Sequence, residues 1–262
     1  MQQRKKMSFY LAIPSDSSHK FFPSNKISSY TTKLAKEIIL YDDYEIGLSS
    51  IHFPLTYFNV KKDEFAIHEV AKPSPNNPMK IVRQIESVPE GRYPTETMVE
   101  DIFKRIPSSI LDVQVSNVNR RTHIKVGKDH DLSFTMPLLD FLGRKFTPLP
   151  LKGNVFEKNT EYKGRHAIDY QRVCHNLYVY CDLIEPRTVG DTQVSLLATL
   201  PNPSGGCFGD TVVKTFDSIR YYKLGKNRFY TVKIIVSDLG KHIPFEAGKV
   251  FIELHLRKVK KI

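Results

Sequence analysis

Short segments in which apolar and polar residues alternate dominate the chain, and proline or glycine separates most of them. In the clearest, Val250–Arg257, the aliphatic residues Val250, Ile252, Leu254 and Leu256 alternate with aromatic or polar ones. This period of two predicts a strand that buries one face of a sheet. Further strands are predicted at Phe9–Ile13, Tyr30–Leu40, Glu45–Phe53, Glu64–Val70, Lys80–Ser87, Leu177–Leu183, Thr192–Leu200 and Val232–Val236.

The period changes to that of a helix near the middle of the chain. Met98, Ile102 and Ile106 recur every four residues, which predicts a helix that begins at Thr97 and ends at Ile106. Thr97 and Glu100 have the spacing of a capping box, in which each side chain accepts a hydrogen bond from a free backbone N–H group. We therefore expect a short amphipathic helix with a side-chain cap.

The segments that follow predict a hairpin and a second helix. The hairpin strands are Leu111–Val115 and Thr122–Val126, and the short helix Met136–Leu142 ends at Gly143. The region 146–170 is polar and irregular. We expect it to form a linker or an extended arm.

The fold class predicted from this order is all-β with minor α content. We expect a single jelly-roll β-sandwich built from residues 1–87 and 146–262, with an inserted helix-plus-hairpin module at 88–145. Well-formed first and last strands suit a jelly roll, in which the terminal strands lie side by side. The sequence leaves open whether the module projects as a separate domain.

The excess of basic over acidic residues favours a polyanionic partner. The 262 residues carry a net charge of +11, and basic residues occur at both ends. If the terminal strands are neighbours, the basic ends meet and can contact nucleic acid through phosphates. Equally, solvated basic ends protect an exposed sheet edge from mispairing. The candidate nucleic-acid contacts are Arg4, Lys5, Lys6, Arg257, Lys258, Lys260 and Lys261.

Only one stretch resembles a catalytic motif. In Ser204–Asp210, Cys207 lies among glycines, and His175 or His242 is a possible base for a thiol nucleophile. A flexible glycine-rich turn explains the stretch more simply, since activation requires a base within hydrogen-bond reach. We therefore predict no catalytic residue and no enzymatic activity.

Metal and cofactor sites are not predicted either. Cys174 and His175 are neighbours in the sequence, so on a strand they would point to opposite faces. The three cysteines have no CxxC spacing, and no phosphate-binding glycine motif is present. The chain has no apolar run of about 20 residues, so we expect no membrane span. It starts without the apolar stretch of a signal peptide.

Several segments, taken in order, resemble the Polinton/Maverick-type (adintovirus-like) minor capsid proteins. These segments are Met7–Ser18, Phe22–Asn25, Tyr30–Leu34, Tyr44–Leu48, Asn176–Asp182, Val189–Leu197, Ile235–Val250 and Leu254–Arg257. No single one is a diagnostic motif, and the resemblance is weakest across residues 60–95 and 146–170. In the family, the usual start is close to Met7, so Met1–Lys6 is either a short basic arm or the product of an upstream start codon.

The resemblance implies a single-jelly-roll penton subunit at the vertices of an icosahedral capsid. The implied partners are copies of the chain itself, as a homopentamer, and a double-jelly-roll major capsid protein; packaged DNA is a further candidate. The implied location is the virion, after synthesis in the host cytoplasm. A ring of identical subunits needs a head-to-tail interface, for which tyrosines such as Tyr178 and Tyr180 are suitable.

Two other functional classes stay open. A polyanion- or glycan-binding β-sandwich, acting as an attachment module, is compatible with the same fold and charge. A cysteine hydrolase that uses Cys207 is the least favoured alternative.

Overall fold

The computed structural model describes residues 8–71, 80–170, 174–203, 205–238 and 241–259. The chain divides into two compact units. Unit 1 comprises Met1–Tyr57, Cys174–Pro203 and Phe208–Ile262, and unit 2 comprises Phe58–Val173 and Ser204–Cys207. Unit 2 is therefore built from one long and one short insertion in the sequence of unit 1.

Strands and helices are numbered in chain order. Those of unit 1 are β1 (Ser8–Pro14), β2 (Ser29–Ile39), β3 (Tyr44–Pro54), β12 (Asn176–Cys181), β13 (Arg187–Val189), β14 (Thr192–Val194), β15 (Leu196–Pro201), β16 (Thr211–Thr215), β17 (Tyr222–Lys223), β18 (Arg228–Asp238), β19 (Lys241–His242) and β20 (Phe251–Lys258). Those of unit 2 are β4 (Ala66–Ala71), β5 (Lys80–Ser87), α1 (Met98–Phe103), β6 (Leu111–Val115), β7 (Arg121–Val126), β8 (Asp131–Phe134), α2 (Met136–Phe141), β9 (Phe146–Thr147), β10 (Val155–Phe156) and β11 (Glu161–Ala167).

Unit 1 is a jelly roll. One sheet, which we call the terminal-strand sheet, has the order β1-β20-β3-β16, with β17 also paired to β3. The second sheet has the order β15-β12-β18, and β2 and β19 both pair with β18. Numbering the eight principal strands by chain order gives 1-8-3-6 and 2-7-4-5, the strand orders that two Greek keys produce. The predicted β-rich jelly roll is confirmed.

The first and last strands lie side by side, as predicted. β1 and β20 are antiparallel, in a register that runs from Ser8 opposite Arg257 to Pro14 opposite Phe251. On the other side of β20, β3 pairs along almost its whole length. The two terminal strands are therefore neighbours at one edge of the same sheet.

Inward side chains of both sheets form one core. Ile252 and Leu254 of the terminal-strand sheet are fully buried with Val179, Ile234 and Val236 of the second sheet. Each such aliphatic side chain contributes about 1.5–3 kcal/mol when it leaves water. The alternation in the sequence is thus the signature of a two-layer core.

A β-bulge in β3 explains one break in the predicted alternation. Ile46 and Leu48 face the core, but so do Ile51 and Phe53, which have the opposite parity. The pairing of β3 with β20 shifts register at Ser49. One extra residue at a bulge moves the following side chains to the other face, which keeps all four apolar residues inside.

Unit 2 has a core of its own between two four-stranded sheets. Their orders are β10-β8-β4-β5 and β6-β7-β11-β9. The ring of Phe156 lies 4.6 Å from that of Phe134, 4.6 Å from that of Tyr162 and 5.1 Å from that of Phe146, measured between centroids. This aromatic cluster fills the space that shorter aliphatic residues fill in unit 1.

The predicted hairpin and both predicted helices are present in unit 2. Met98, Ile102 and Ile106 are buried, as the apolar stripe requires. The predicted capping box is wrong, because Thr97 makes no side-chain cap hydrogen bond. The Thr97 hydroxyl instead donates to the Asp101 carboxylate at 2.7 Å.

The region 146–170 is not a linker or arm, contrary to the prediction. It contains β9, β10 and β11, and β11 pairs with β7 of the hairpin. The strands at the other side, β4 and β5, join the same unit through β8. The boundaries of the inserted unit therefore differ from the predicted 88–145, because hydrogen-bonded pairing draws in segments from both sides.

Candidate functional site

The two ends of the terminal-strand sheet carry different features. We call the end with Ser8, Tyr44 and Lys258 the terminal pole, since β1 begins and β20 ends there. We call the end with Pro14, Pro54 and Phe251 the insertion pole, since the chain leaves unit 1 shortly after Pro54. The sheet thus separates the chain ends from the point where unit 2 begins.

At the terminal pole, the structure brings Arg257 and Lys258 together with carboxylates. The Arg257 guanidinium donates to Glu45 at 2.5 Å, and the Lys258 ammonium lies 2.9 Å from an oxygen of Asp42. Exposed ion pairs of this kind contribute at most about 1 kcal/mol each. They do, however, offset the positive charge of both candidate contacts.

The other predicted basic contacts lie outside the described residues. They are Arg4, Lys5, Lys6, Lys260 and Lys261. Because Ser8 lies opposite Arg257, the chain enters and leaves the sheet at the same pole. The structure therefore pairs the starting points of the two basic segments, and the contact of these segments with nucleic acid stays a prediction.

An aromatic cluster covers the outer face of the sheet beside this pole. The His255 ring lies 4.5 Å from the Tyr10 ring, and its Nδ1 is 2.7 Å from the Tyr221 hydroxyl. The Arg257 guanidinium lies 3.5 Å from the centroid of the Tyr221 ring. Burial and the neighbouring Arg257 lower the pKa of His255, although Glu253 opposes the shift. Sequence alternation predicts that His255 faces outward but does not show that Tyr221 reaches it.

At the insertion pole, Asn202 joins the two parts of unit 1 that flank the long segment of unit 2. The Tyr57 hydroxyl donates to Asn202 Oδ1, and Asn202 Nδ2 donates to the Cys174 carbonyl at 2.8 Å. The backbone N–H of Asn202 also donates to the His175 carbonyl at 3.0 Å. Tyr57 is the last residue of unit 1 before unit 2, and Cys174 is the first residue after it.

The cysteines have different surroundings. Cys174 and Cys181 are buried and Cys207 is exposed. Burial raises the pKa of the Cys181 thiol to about 12, which keeps it protonated. Cys207 belongs to unit 2, whereas the proposed bases His175 and His242 belong to unit 1.

Cys174 is buried while His175 is exposed, as expected for neighbours on opposite faces. In the part of the chain that the structure describes, no three or more His, Cys, Asp or Glu side chains are grouped to hold a metal ion. Over the same residues, no helix is long and apolar enough to cross a membrane.

The tyrosines predicted for an interface lie on the outer face of the second sheet. Tyr178 and Tyr180 are only partly exposed, and they alternate with the buried Leu177, Val179 and Cys181. Their cross-strand partners on β18 are Ser237 and Ile235. An interface at this face stays a prediction.

Comparisons with known proteins identify the fold. No protein-family model matches the chain, and no curated protein matches it in sequence. The crystal structure of the mavirus penton protein superposes with a TM-score of 0.50 at 9% identity, over 96% of this chain and 100% of that chain. A chain of the Sputnik virophage structure gives a TM-score of 0.46 at 11% identity, over 96% and 98% of the two chains. The chain therefore has the β-rich fold of the mavirus penton protein over nearly its full length.

Proposed function

We propose that this chain is a minor capsid subunit, or penton, that forms the pentameric vertices of an icosahedral virus-like particle. The observation that carries the proposal is the jelly-roll strand order of unit 1, together with likeness to the mavirus penton protein that spans both units. Fold alone hosts many functions, so the proposal depends on assembly.

The geometry of unit 1 supports a closed ring. A ring of identical subunits needs a heterologous interface, in which two different surfaces of each copy meet. One flank of the jelly roll is formed by β1 and β2, whose contact includes a hydrogen bond from the Tyr30 hydroxyl to the Ile13 carbonyl. The terminal-strand sheet ends on its other side at β16, and the second sheet ends at β15. The two flanks differ in sequence and shape, as a head-to-tail contact demands.

The test is assembly of the purified full chain. We expect a ring-sized species by light scattering and five-fold rings by negative-stain imaging, alone or with the double-jelly-roll protein that forms the capsid faces. A chain that stays monomeric at high concentration, and that does not join particles formed by the face protein, contradicts the proposal.

The opposite poles of unit 1 support a second part of the proposal, that the basic ends face the packaged DNA. Both chain ends leave from the terminal pole, while the chain passes to unit 2 at the insertion pole. A subunit whose strands run across the shell would direct both chain ends to one face of the shell. The basic residues that would then face phosphates are Arg4, Lys5, Lys6, Lys260 and Lys261. Arg257 and Lys258 would first have to exchange their carboxylate partners, Glu45 and Asp42, for phosphates.

A charge-matched pair of variants tests the DNA contact. One replaces Arg4, Lys5 and Lys6 by glutamine, and the control replaces the exposed Lys61, Lys62 and Lys152 of unit 2. If each terminal residue contacts one phosphate, the slope of log affinity against log salt falls by about 2.7 in the first variant only. Equal loss in both variants indicates non-specific attraction and contradicts a role of the ends.

A further inference from the structure

An exposed aromatic side chain projects from the loop between β1 and β2 (residues 15–28). Phe21 is 59% exposed, and the Lys33 ammonium lies 4.0 Å from the centroid of its ring. The neighbouring His19, Lys20 and Lys26 are exposed as well. Large exposed aromatic side chains are frequent anchors of protein interfaces.

Hydrogen bonds hold this loop in one conformation. The Asn25 side chain accepts from the Thr31 amide and donates to the Thr31 carbonyl, both at 2.9 Å. The Ser18 hydroxyl accepts from the Lys33 amide at 3.0 Å, and the Ser18 carbonyl accepts from the Phe21 amide at 2.9 Å. Because the loop is already ordered, Phe21 can be buried at an interface with little further loss of entropy.

An apolar groove that could receive an aromatic side chain lies at the insertion pole, on the outer face of the terminal-strand sheet. Its volume is about 520 Å³. His52 and Phe251, whose rings are 5.2 Å apart, lie at its base with Pro54, and its walls include Phe208 and Ala247. Phe208 is 47% exposed, so apolar surface remains open to a partner.

The groove is formed in the isolated chain. The Thr56 hydroxyl donates to the Ala247 carbonyl at 2.6 Å, and the Thr56 carbonyl accepts from the Glu246 amide at 2.9 Å. These bonds hold the wall that precedes β20 against the end of β3. A partner therefore meets a shaped surface, which favours specific docking.

Charges at the two surfaces are complementary. Asp210 and Glu246, both exposed, flank the groove residues Thr211 and Ala247. Lys249 at the same rim is paired with Asp16 at 3.4 Å. The loop that carries Phe21 is basic, so attraction between opposite charges would orient it toward the groove.

The position along the strands also matches. The loop follows Pro14, which lies opposite Phe251 of the groove, so both features belong to the insertion pole. In a cyclic ring whose axis runs along the strands, each residue keeps the same height in every copy. The loop of one copy then reaches its neighbour at the height of the neighbour's groove.

Direct pairing of strands between two copies is disfavoured at the flank formed by β16. β16 is an exposed edge of the sheet, but Lys214 occupies a position that faces the core side, opposite Ile51. A lysine at such a position is a common protection against edge-to-edge pairing. Contact between side chains is therefore favoured over a continuous sheet.

We infer that Phe21 of one copy enters the groove lined by Phe251 and Phe208 of the next copy in the ring. This inference rests on the proposed penton function and adds the residues that meet. Phe21 projects from the β1–β2 flank of one subunit, and the groove lies on the outer face of the terminal-strand sheet of the adjacent subunit.

Engineered disulfides test the pairing directly. In a Cys207→Ser background, the double variant Phe21→Cys and Thr211→Cys should give, on oxidation, a ladder of covalent oligomers up to the pentamer. Mixing the two single variants should give covalent dimers only. Absence of cross-links in rings that otherwise form contradicts the inference, and absence of rings in the unmodified protein contradicts the penton function itself.

Substitution of the anchor gives a second measurement. Phe21→Ala should raise the concentration at which rings dissociate at least about tenfold. Tyr41→Ala is the matched control, because Tyr41 is 85% exposed in unit 1 and lies at the terminal pole, so this change should leave ring formation unchanged. If rings of Phe21→Ala dissociate at the wild-type concentration, the inference is overturned. If, in addition, incorporation into particles falls, Phe21 contacts the face protein instead of a second copy.

The charge contribution is tested by reversal. Lys20→Glu and Glu246→Lys should each weaken ring formation several-fold, and the double variant should recover part of the loss, since the two changes act on one contact. Additive losses contradict the pairing of these two surfaces.

Discussion

The Tyr57 hydroxyl donates a buried hydrogen bond to the side-chain carbonyl of Asn202, a residue 145 positions away in the sequence. Asn202 in turn donates to the carbonyl of Cys174, with which the chain returns to unit 1. One asparagine therefore ties the departure of the chain to its return. Through these bonds the jelly roll accommodates an insertion of more than 100 residues without opening at the insertion pole.

We expect Asn202→Ala to destabilise unit 1 by about 1–3 kcal/mol, because it removes hydrogen bonds to two buried groups. Tyr57→Phe removes one of these bonds and should cost less. The free energy of unfolding is measured in urea with a probe located in unit 1, and Tyr41→Phe, at a side chain 85% exposed, is the control.

A double-mutant cycle decides whether the two residues act together. Combining Tyr57→Phe with Asn202→Ala should cost less than the sum of the single changes, since both remove the same bond. A strictly additive result contradicts the hydrogen bond between Tyr57 and Asn202 at the insertion pole.

We also expect Leu254→Asp to prevent folding. Leu254 is fully buried at the centre of β20, where an unpaired carboxylate has no compensating partner. Val213→Asp makes a similar change on the exposed outer face of β16, and we expect it to fold normally. Soluble Leu254→Asp protein with an unchanged melting temperature contradicts the packing of β20.

Most principal strands of unit 1 are predictable from the sequence because their alternation reports burial directly. The strand β16 was not predicted, since the adjacent Val212 and Val213 show no alternation. The predicted strand Thr192–Leu200 is divided into β14 and β15, which belong to different sheets. Val250–Arg257 differs from the observed β20 by one residue at each end. Alternation does not predict the strands of the region 146–170 in the same way, because β9 and β10 have only two residues each and cannot show a period. Their place in unit 2 depends on pairing with strands far away in the sequence.

The site features follow the same division. That the terminal strands are neighbours follows from the jelly-roll expectation, and it brings Arg257 close to the start of β1. The partners Glu45 and Asp42 were not predicted, because a strand pattern gives faces but not register. The hydrogen bonds of Asn202 and the groove beside Phe251 combine residues from distant segments of the chain. No local pattern in the sequence predicts either of them.

Thiol reactivity should distinguish the three cysteines. In the native protein, we expect Cys207 alone to react quickly with a thiol reagent, because Cys174 and Cys181 are buried. All three should react in denaturant, and Cys207→Ser should abolish the fast phase. Rapid reaction of two or three thiols in the native protein contradicts the burial of these residues.

Stability should depend on pH through His255. Its folded-state pKa is lowered, first by burial and then by Arg257, so the unfolded chain binds a proton more readily than the folded one. Stability is therefore greatest above the ordinary histidine pKa of about 6.5 and falls as the pH decreases through that value toward the lowered one. The neighbouring groups that face the ring are Tyr10, Tyr221, Glu253 and Arg257. We expect His255→Gln to flatten the decrease in melting temperature between about pH 8 and pH 5.

The matched control for this titration is His19→Gln, at an exposed loop position, which should retain the wild-type slope. Comparing slopes separates titration from the loss of ring contacts, because lost contacts with Tyr10 shift the melting temperature by a similar amount at every pH. A His255→Gln protein that loses stability toward acid as steeply as the wild type contradicts the role of this residue. Since His255 lies on the outer face beside the terminal pole, the same protonation would also add a positive charge next to Arg257, and the protonated Nδ1 would donate to the Tyr221 hydroxyl. The pH profile therefore tests the local geometry of this surface as well as the fold.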